Sequence, residues 1–257
     1  MGLMLDLWHD SFYKFVQVDD PEQLASDLTD LCTRSGLRGS ILVAHEGING
    51  MLAGSEAQLN AFWTVLHQNP RFTGLHPKRT PASEMPFKRL KIRVKPELVP
   101  LGIDGVDATS KTGVQVPPSE WLDLIHQEDV VVLDNRNDFE ARIGTFEGAI
   151  NPGVKKFRDF AKYVLDHQKE WEGKRIAMFC TGGIRCEKAS AWMLDLGMDV
   201  YQLEGGIMNY FLTAPESNNG WVGECFVFDG RVSIDAALEE GDLSLKAVNE
   251  QYGDVVK

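Results

Sequence analysis

Cysteine 180 begins a short loop whose composition could activate a thiol. Residues 180–185 read Cys-Thr-Gly-Gly-Ile-Arg; they follow the apolar run Arg175–Phe179 and precede a helix-forming stretch. A glycine-containing loop that opens a helix can point backbone N–H groups at one spot, and the helix dipole adds partial positive charge there. Such a spot shifts a thiol toward the nucleophilic thiolate. Cys180 is therefore the predicted nucleophile or sulfur carrier.

The other loop residues have predicted supporting roles. The backbone N–H groups expected to stabilise negative charge on the sulfur or on an attached oxyanion belong to Thr181, Gly182, Gly183 and Ile184. Arg185 would add a fixed positive charge, or would form a salt bridge that only shapes the loop. Cys186 could resolve a persulfide or sulfenic acid on Cys180, or could be a small residue in the first helical turn.

The Cys-x-x-x-x-Arg spacing narrows the chemistry, because it resembles the active-site loop of the rhodanese family, in which the cysteine carries a persulfide. The related phosphatase loop is one residue longer and cradles phosphate, so a phosphatase is disfavoured. Two polar residues, Asp134 and Arg136, follow the apolar stretch 130–133 and would face the same cavity. An Asp after a strand can equally cap a turn. Glu140 is predicted to form a structural ion pair.

The charge distribution points to one basic segment in an acidic chain. The formal net charge is −12, which argues against a protein that coats nucleic acid. In the segment 88–95, however, apolar and basic residues alternate, which predicts a strand with Leu90, Ile92 and Val94 toward the core. The basic residues of this segment, predicted to bind RNA, are Lys88, Arg89, Lys91, Arg93 and Lys95. Same-sign neighbours on a strand repel, so a polyanionic partner is favoured over a merely solvated face.

The predicted elements divide the chain into two domains. Residues 1–96 read as strand (12–18), helix (21–34), strand (40–44), a third strand from Asn49 after a glycine-rich turn, helix (55–68) and the basic strand. This order predicts a ferredoxin-like α+β domain. Residues 97–118 are rich in Pro and Gly and predict a linker.

Residues 119–215 alternate strands and helices, which predicts an α/β domain with a parallel sheet. The predicted strands are 130–133, 148–151, 176–179 and 200–203, and the predicted helices are 120–127, 155–167, 184–196 and a last one after Gly206. Cys180 would then lie at the carboxyl end of a central strand, where open α/β sheets place their sites. Residues 216–257 predict a C-terminal extension packed on this domain through a strand at 221–228, with an acidic end that could be mobile.

Composition limits the other possibilities. The four cysteines form no Cys-x-x-Cys pair and the six histidines are scattered, so no metal site is predicted. No flavin, dinucleotide or haem fingerprint is visible, and no cofactor is predicted. Neither a signal peptide nor a membrane span is recognisable, so a cytoplasmic protein with free thiols is expected.

Six motifs, in order along nearly the whole chain, resemble the rhodanese-domain tRNA uridine hydroxylase family. They are the segments 45–50 (HEGING), 86–91 (PFKRLK), 134–140 (DNRNDFE), 180–188 (CTGGIRCEK), 203–207 (LEGGI) and 223–229 (GECFVFD). The resemblance implies formation of 5-hydroxyuridine at the wobble uridine of tRNA, with molecular oxygen as co-substrate and a persulfide on Cys180. It also implies the anticodon loop as partner, a sulfur or electron donor, and positions for Glu46 and Asn49 that face the second domain or the RNA.

Two other functions stay open at this point. A plain sulfurtransferase, moving sulfane sulfur from a donor such as thiosulfate, would need the same loop but not the basic domain. A non-enzymatic tRNA-binding module would need the basic domain but not an intact cysteine loop.

Overall fold

The structure is a computed structural model and describes residues 7–213 and 220–253. The chain divides into two units between Leu98 and Val99. The predicted linker, 97–118, is different in the structure: Leu101 is fully buried in a core cluster of the second unit, and Val114–Val116 forms a strand. Its prolines and glycines therefore shape turns within a folded unit and do not make a spacer.

The first unit is a five-stranded sheet with two helices. Its elements are β1 (Leu7–Phe15), α1 (Pro21–Arg34), β2 (Arg38–Ala44), β3 (Gly47–Ser55), α2 (Glu56–Leu66), β4 (Lys78–Pro81) and β5 (Leu90–Val94), with a 3-10 turn at Pro70–Phe72. The strand order is β4-β1-β3-β2-β5, and all neighbours are antiparallel except β2 and β5. Both helices contribute to the core cluster, with Phe12 and Ile41 contributed by the sheet.

Local capping determines where these two helices begin. The Asp20 side chain accepts the N–H of Gln23 at 2.9 Å ahead of α1. Ser55 and Gln58 form a reciprocal capping box at the start of α2. Such caps satisfy N–H groups that have no partner within the helix, and they are visible in sequence.

The fourth strand of the ferredoxin-like order is β4, not the basic segment. β4 pairs with β1, whereas the basic β5 is a fifth strand that pairs with β2 at the opposite edge. β4 carries no apolar alternation. Its Arg79 instead binds the buried Asp10 with two hydrogen bonds of 2.7 and 2.8 Å, and Asp10 also accepts the indole N–H of Trp63 at 2.7 Å.

The third strand begins two residues earlier than predicted. The turn consists of His45 and Glu46, and β3 begins at Gly47. Gly50 lies inside β3, and a glycine is needed there because the Phe12 ring occupies the space of a side chain. A Cβ at this position would lie 2.5 Å from the ring.

The second unit contains a four-stranded parallel sheet. Its elements are β6 (Val114–Val116), α3 (Pro118–Ile125), β7 (Val130–Asp134), α4 (Asp138–Ile143), β8 (Gly144–Phe146), α5 (Phe160–His167), β9 (Arg175–Phe179), α6 (Ile184–Asp195), β10 (Asp199–Leu203), α7 (Gly206–Thr213), β11 (Trp221–Gly223), β12 (Cys225–Phe226), β13 (Ser233–Ile234) and α8 (Leu245–Tyr252), with 3-10 turns at Phe157–Asp159 and Gln168–Trp171. The order β6-β10-β9-β7 places β9 between two strands.

Several predicted boundaries differ in this unit. α3 begins at Pro118 rather than at residue 120, and α5 begins at Phe160, after the 3-10 turn, rather than at residue 155. The predicted strand 148–151 is reduced to one bridge between Ile150 and Leu133. Sequence patterns missed α4 and β8, which are only six and three residues long.

The C-terminal extension packs on the second unit. β11 pairs antiparallel with β8, and Cys225 and Ile234 belong to a core cluster of the unit. The acidic end, expected to be mobile, contains the helix α8 up to Tyr252; residues 254–257 lie outside the described part. Within the described ranges, no helix has the length and apolar character that crossing a membrane would need.

Candidate active site

The reactive-cysteine loop follows the interior strand β9. Cys180 comes directly after Phe179, and α6 begins four residues later at Ile184. The chain can turn this sharply because Gly183 has φ of +98°, a left-handed conformation that is strained for residues with a Cβ. The sulfur therefore lies at the carboxyl edge of the parallel sheet, as the sequence predicts.

Backbone N–H groups surround the sulfur. The N–H of Gly183 donates to the Cys180 Sγ at 3.1 Å, and the N–H groups of Arg185 and Cys186 donate to it as well. Of the expected donors Thr181, Gly182, Gly183 and Ile184, Gly183 is confirmed, and Arg185 and Cys186 extend the donor set further into the helix than predicted. The reason is geometric: the first-turn N–H groups of α6 point out of its end toward Cys180.

The electrostatics of the loop favour the thiolate. Burial alone would raise the pKa of Cys180, which is 1% exposed. The opposing effects are the hydrogen bond from the Cys186 thiol, the positive charge of Arg185 and the two helix N–H groups. Together they lower the pKa of Cys180 from 9.0 to about 5. The sulfur is therefore ionised at neutral pH despite its burial.

Cys186 has the opposite behaviour. Burial, and then the hydrogen bond and negative charge of Cys180, raise the pKa of the Cys186 thiol well above its usual value. Cys186 is thus a proton donor held against a thiolate. Its own sulfur accepts the side-chain N–H of Asn135 at 3.7 Å, which fixes its position.

Arg185 forms a buried, bidentate ion pair with Glu140. The two hydrogen bonds measure 2.7 and 2.8 Å, and Glu140 is completely buried in α4. This agrees with the structural ion pair predicted for Glu140. The guanidinium also lowers the pKa of Cys180, so both roles considered for Arg185 apply: it shapes the loop and it supplies charge.

Asp134 and Arg136 are placed differently from the expectation that they face the cavity of Cys180. Both are fully buried and pair with each other through bonds of 2.8 and 2.6 Å. The guanidinium of Arg136 also donates to the carbonyl of Gly144 and lies 5.2 Å from the Trp221 ring centroid. These contacts hold β7 and β8 together and occupy both carboxylate oxygens of Asp134, whereas the Nη1 of Arg136 is buried without a hydrogen-bond partner.

Sequence reasoning missed the role of Gly206. Its φ is +69°, and a Cβ there would lie 2.4 Å from the Cys180 carbonyl oxygen and 2.6 Å from the Gly183 nitrogen. The next two residues, Ile207 and Met208, donate their N–H groups to the carbonyls of Cys180 and Thr181, both at 3.0 Å. The start of α7 therefore anchors the outer side of the loop. The Gly-Gly pair after a predicted strand was the available signal.

The predicted RNA-contacting residues belong to the first unit. Exposed side chains are found at Lys88, Arg89, Lys91, Arg93 and Lys95. Leu90 and Ile92 pack against the core as predicted, but Val94 is 37% exposed because β5 lies at the sheet edge.

Glu46 and Asn49, expected to face the second domain or the RNA, have different surroundings in the first unit. Glu46 follows β2, and its carboxylate accepts the N–H of Leu98 at 2.7 Å, inside the first unit. Asn49 is half-buried in the middle of β3.

Comparison with known proteins agrees with this geometry. Residues 117–212 match the rhodanese-like domain and residues 9–98 match the UPF0176 acylphosphatase like domain. The second unit is thus a rhodanese-like domain, which confirms the predicted fold class.

Full-length relatives define the family more narrowly. The chain is 45% identical to a tRNA uridine(34) hydroxylase of Teredinibacter turnerae, covering 91% of this chain and 74% of that protein. It is 44% identical to the protein of the same name from Legionella pneumophila (strain Corby), covering 92% and 93%. The chain belongs to the tRNA uridine(34) hydroxylase family, which confirms the resemblance seen in the sequence.

Proposed function

We propose that this protein is a tRNA-modifying enzyme that hydroxylates the wobble uridine at C5, with Cys180 as its reactive sulfur. The observation that carries the proposal is the buried thiolate at the carboxyl edge of the sheet, held by three N–H groups and a guanidinium. The names of the relatives supply the reaction class. Such an enzyme would act in the cytoplasm.

The Cys180 thiolate is suited to accept sulfur. It would attack the outer sulfur of a sulfane-sulfur donor, forming Cys–S–S⁻ and releasing the remainder of the donor with the electron pair of the broken bond. The loop N–H groups and the Arg185 guanidinium lie next to the persulfide as well, and their positive charge would favour its anionic form. Cys186, a protonated thiol in contact with Cys180, would then resolve a sulfenic acid or a persulfide on Cys180 by forming a disulfide with it, with release of water from the sulfenic acid or of hydrogen sulfide from the persulfide.

The hydroxylation itself requires more than the cysteine. With molecular oxygen as co-substrate, one oxygen atom enters the C5–H bond of uridine and the other leaves as water, which consumes two electrons and two protons. The proposal therefore includes a donor of electrons or sulfur as a second partner. The target base must also leave its stack to be reached.

Binding of the tRNA would fall to β5 and its flanking residues. The anticodon loop is single-stranded, and a row of exposed cations binds its phosphates without reading sequence. Replacing Lys91 and Arg93 by Glu should weaken tRNA binding and reduce the slope of log K against log salt by about 1.4, at 0.7 per lost contact.

A matched control for this test lies in the second unit. Lys169 and Lys174 are exposed near the start of β9, at the opposite end of that strand from Cys180. Replacing both by Glu makes the same change in net charge. Loss of binding in the control as large as in the β5 variant would reject β5 as the binding surface.

The decisive experiment is mass analysis of tRNA nucleosides from cells that lack this protein, complemented with wild type or Cys180→Ser. Loss of 5-hydroxyuridine-derived nucleosides that only the wild type restores would establish both the reaction and the residue. Normal modification in cells without the protein would refute the proposal.

A sulfurtransferase remains the second candidate, because the loop geometry alone serves both reactions. It would be favoured by normal tRNA modification in the deleted strain together with Cys180-dependent transfer of sulfane sulfur from thiosulfate to cyanide by the pure protein.

A further inference from the structure

The first unit has a sheet face that its two helices do not cover. Phe12, Ile41 and Ile48 point toward α1 and α2, where they share one core cluster with residues of both helices. Side chains alternate along a strand, so the residues between them point to the opposite face. We name this opposite side the distal sheet face; its central residues are Ser11, Tyr13, Ser40, Leu42, Asn49, Met51, Lys78, Lys91 and Arg93.

The strand register aligns these residues in two rows across the sheet. In one row Tyr13 of β1 pairs with Asn49 of β3, Asn49 with Leu42 of β2, and Leu42 with Arg93 of β5. In the adjacent row, the paired positions run through Lys78, Ser11, Met51, Ser40 and Lys91. Each row therefore carries a cation at the β5 edge, and one carries a second cation at the β4 edge.

The row through Tyr13 combines an aromatic ring, an amide and a cation. Tyr13 is an aromatic ring that is neither fully buried nor fully exposed, and the Lys78 ammonium lies 5.3 Å from its centroid. Asn49, directly opposite, has an amide that can both donate and accept hydrogen bonds. Arg93 is exposed and lies three strand spacings away, about 14 Å.

Buried residues lie at both ends of the distal sheet face. His9 is 2% exposed and stacks on Phe87, with ring centroids 5.6 Å apart. Phe15, at the other end of β1, is also buried. Among the described residues of this face, the two central rows are the partly exposed part, which limits a bound ligand to a few groups.

We propose that the distal sheet face binds single-stranded RNA, with an unstacked base on Tyr13, the edge of that base at Asn49, and phosphates at Arg93 and Lys91. A sheet of this topology with an aromatic ring and flanking cations on its face is one of the forms in which proteins bind two or three nucleotides of single-stranded RNA. The inference rests on the proposed function in one respect only: it takes the RNA to be the anticodon loop.

The test is direct binding of an RNA hairpin with the anticodon-loop sequence to the full-length protein. Stacking of one base contributes about tenfold or more to affinity, so Tyr13→Leu should bind about tenfold more weakly. Tyr13→Phe keeps the ring and should bind within about twofold of wild type. Tyr163→Leu, which removes a half-buried tyrosine from α5 in the second unit, is the matched control and should bind like wild type.

Photocrosslinking of a 5-iodouridine-substituted loop provides a second measurement on the unaltered chain, in case Tyr13→Leu does not fold. The crosslinked peptide should contain Tyr13. Crosslinks confined to other peptides, unchanged binding by Tyr13→Leu, or an equal loss with Tyr163→Leu would overturn the proposal.

These readouts do not depend on hydroxylation. Tyr13-dependent binding by a protein that modifies no tRNA would refute the proposed function and keep the RNA-binding face. tRNA modification together with RNA binding that does not depend on Tyr13 would refute the RNA-binding face and keep the proposed function.

Discussion

The ion pair between Arg185 and Glu140 allows the charge around Cys180 to be changed in either direction. Arg185→Gln removes the cation that stabilises the thiolate and leaves the buried Glu140 carboxylate behind. Glu140→Gln removes the anion that partly neutralises Arg185. The first change should raise the pKa of Cys180 and the second should lower it, because an opposite charge favours the ionised form and a like charge disfavours it.

The size of the first effect follows from the pKa of about 5 for Cys180. A neighbouring opposite charge usually shifts a pKa by about 1–3 units, so Arg185→Gln should bring the pKa of Cys180 to about 7. At pH 6 the ionised fraction would then fall from about 0.9 to about 0.1. At pH 9 both proteins would be almost fully ionised.

The assay is the ultraviolet absorbance of the thiolate as a function of pH, with Cys180→Ser subtracted, since absorbance does not require reagent access to a buried sulfur. Breaking a buried pair costs about 3–5 kcal/mol in either single variant, so general loosening would affect both alike. Shifts in opposite directions would therefore be electrostatic. A midpoint that stays near 5 in Arg185→Gln, or shifts of the same sign in the two variants, would refute the role given to the guanidinium.

Four further outcomes are expected from the same region. Gly183 has a φ of +98°, so Gly183→Ala should disrupt the loop and raise the pKa of Cys180. At Gly182 a Cβ would meet no atom within 4 Å, so the control Gly182→Ala should leave the thiolate titration and the melting temperature nearly unchanged. Cys186→Ala should raise the pKa of Cys180 by removing a donor, while Cys186→Ser, which keeps an O–H, should raise it less when both are titrated by absorbance. Arg136→Met should lower the free energy of unfolding by about 3–5 kcal/mol in denaturant titrations, because it leaves a buried carboxylate without its cation. The pKa of Cys180 is lower in the folded chain than in the unfolded chain, so the stabilisation due to its ionisation is complete above pH 9 and is lost as the pH falls toward 5. Between pH 6 and 8, the free energy of unfolding of wild type, measured relative to that of Cys180→Ser, should therefore rise by about 1.4 kcal/mol per pH unit.

The parts of the site that are local in sequence could be predicted. The strand, the cysteine, the glycines and the helix are consecutive, so their geometry follows from turn and helix chemistry within about ten residues of Cys180. The same is true of α1 and α2, whose caps at Asp20 and Ser55 lie beside the residues they cap.

The parts that depend on distant contacts could not be predicted. β4 is held by Arg79 binding Asp10, 69 residues away, and nothing in its own four residues suggests a strand. Gly206 can be recognised as a loop contact only when α7 is seen against Cys180. In each case the local sequence does not predict the structure, because the stabilising partner is distant in the chain.

The burial of Cys180 also bears on which atom would react. At 1% exposure its Sγ is stabilised by fixed N–H dipoles rather than by water, so it stays ionised without a hydration shell that a reaction would have to remove. A second sulfur bound to it would extend about 2 Å further from Cβ, the length of an S–S bond. The inner sulfur would then stay beside the loop N–H groups, while the outer sulfur would lie nearer the protein surface. On this argument, the burial that keeps a bare thiolate from solvent is compatible with a reactive persulfide, and alkylating reagents should label the sulfur-loaded protein faster than the sulfur-free form. Equal labelling rates for the two forms would show that the added sulfur does not become more accessible than the Cys180 thiolate, and would refute this argument.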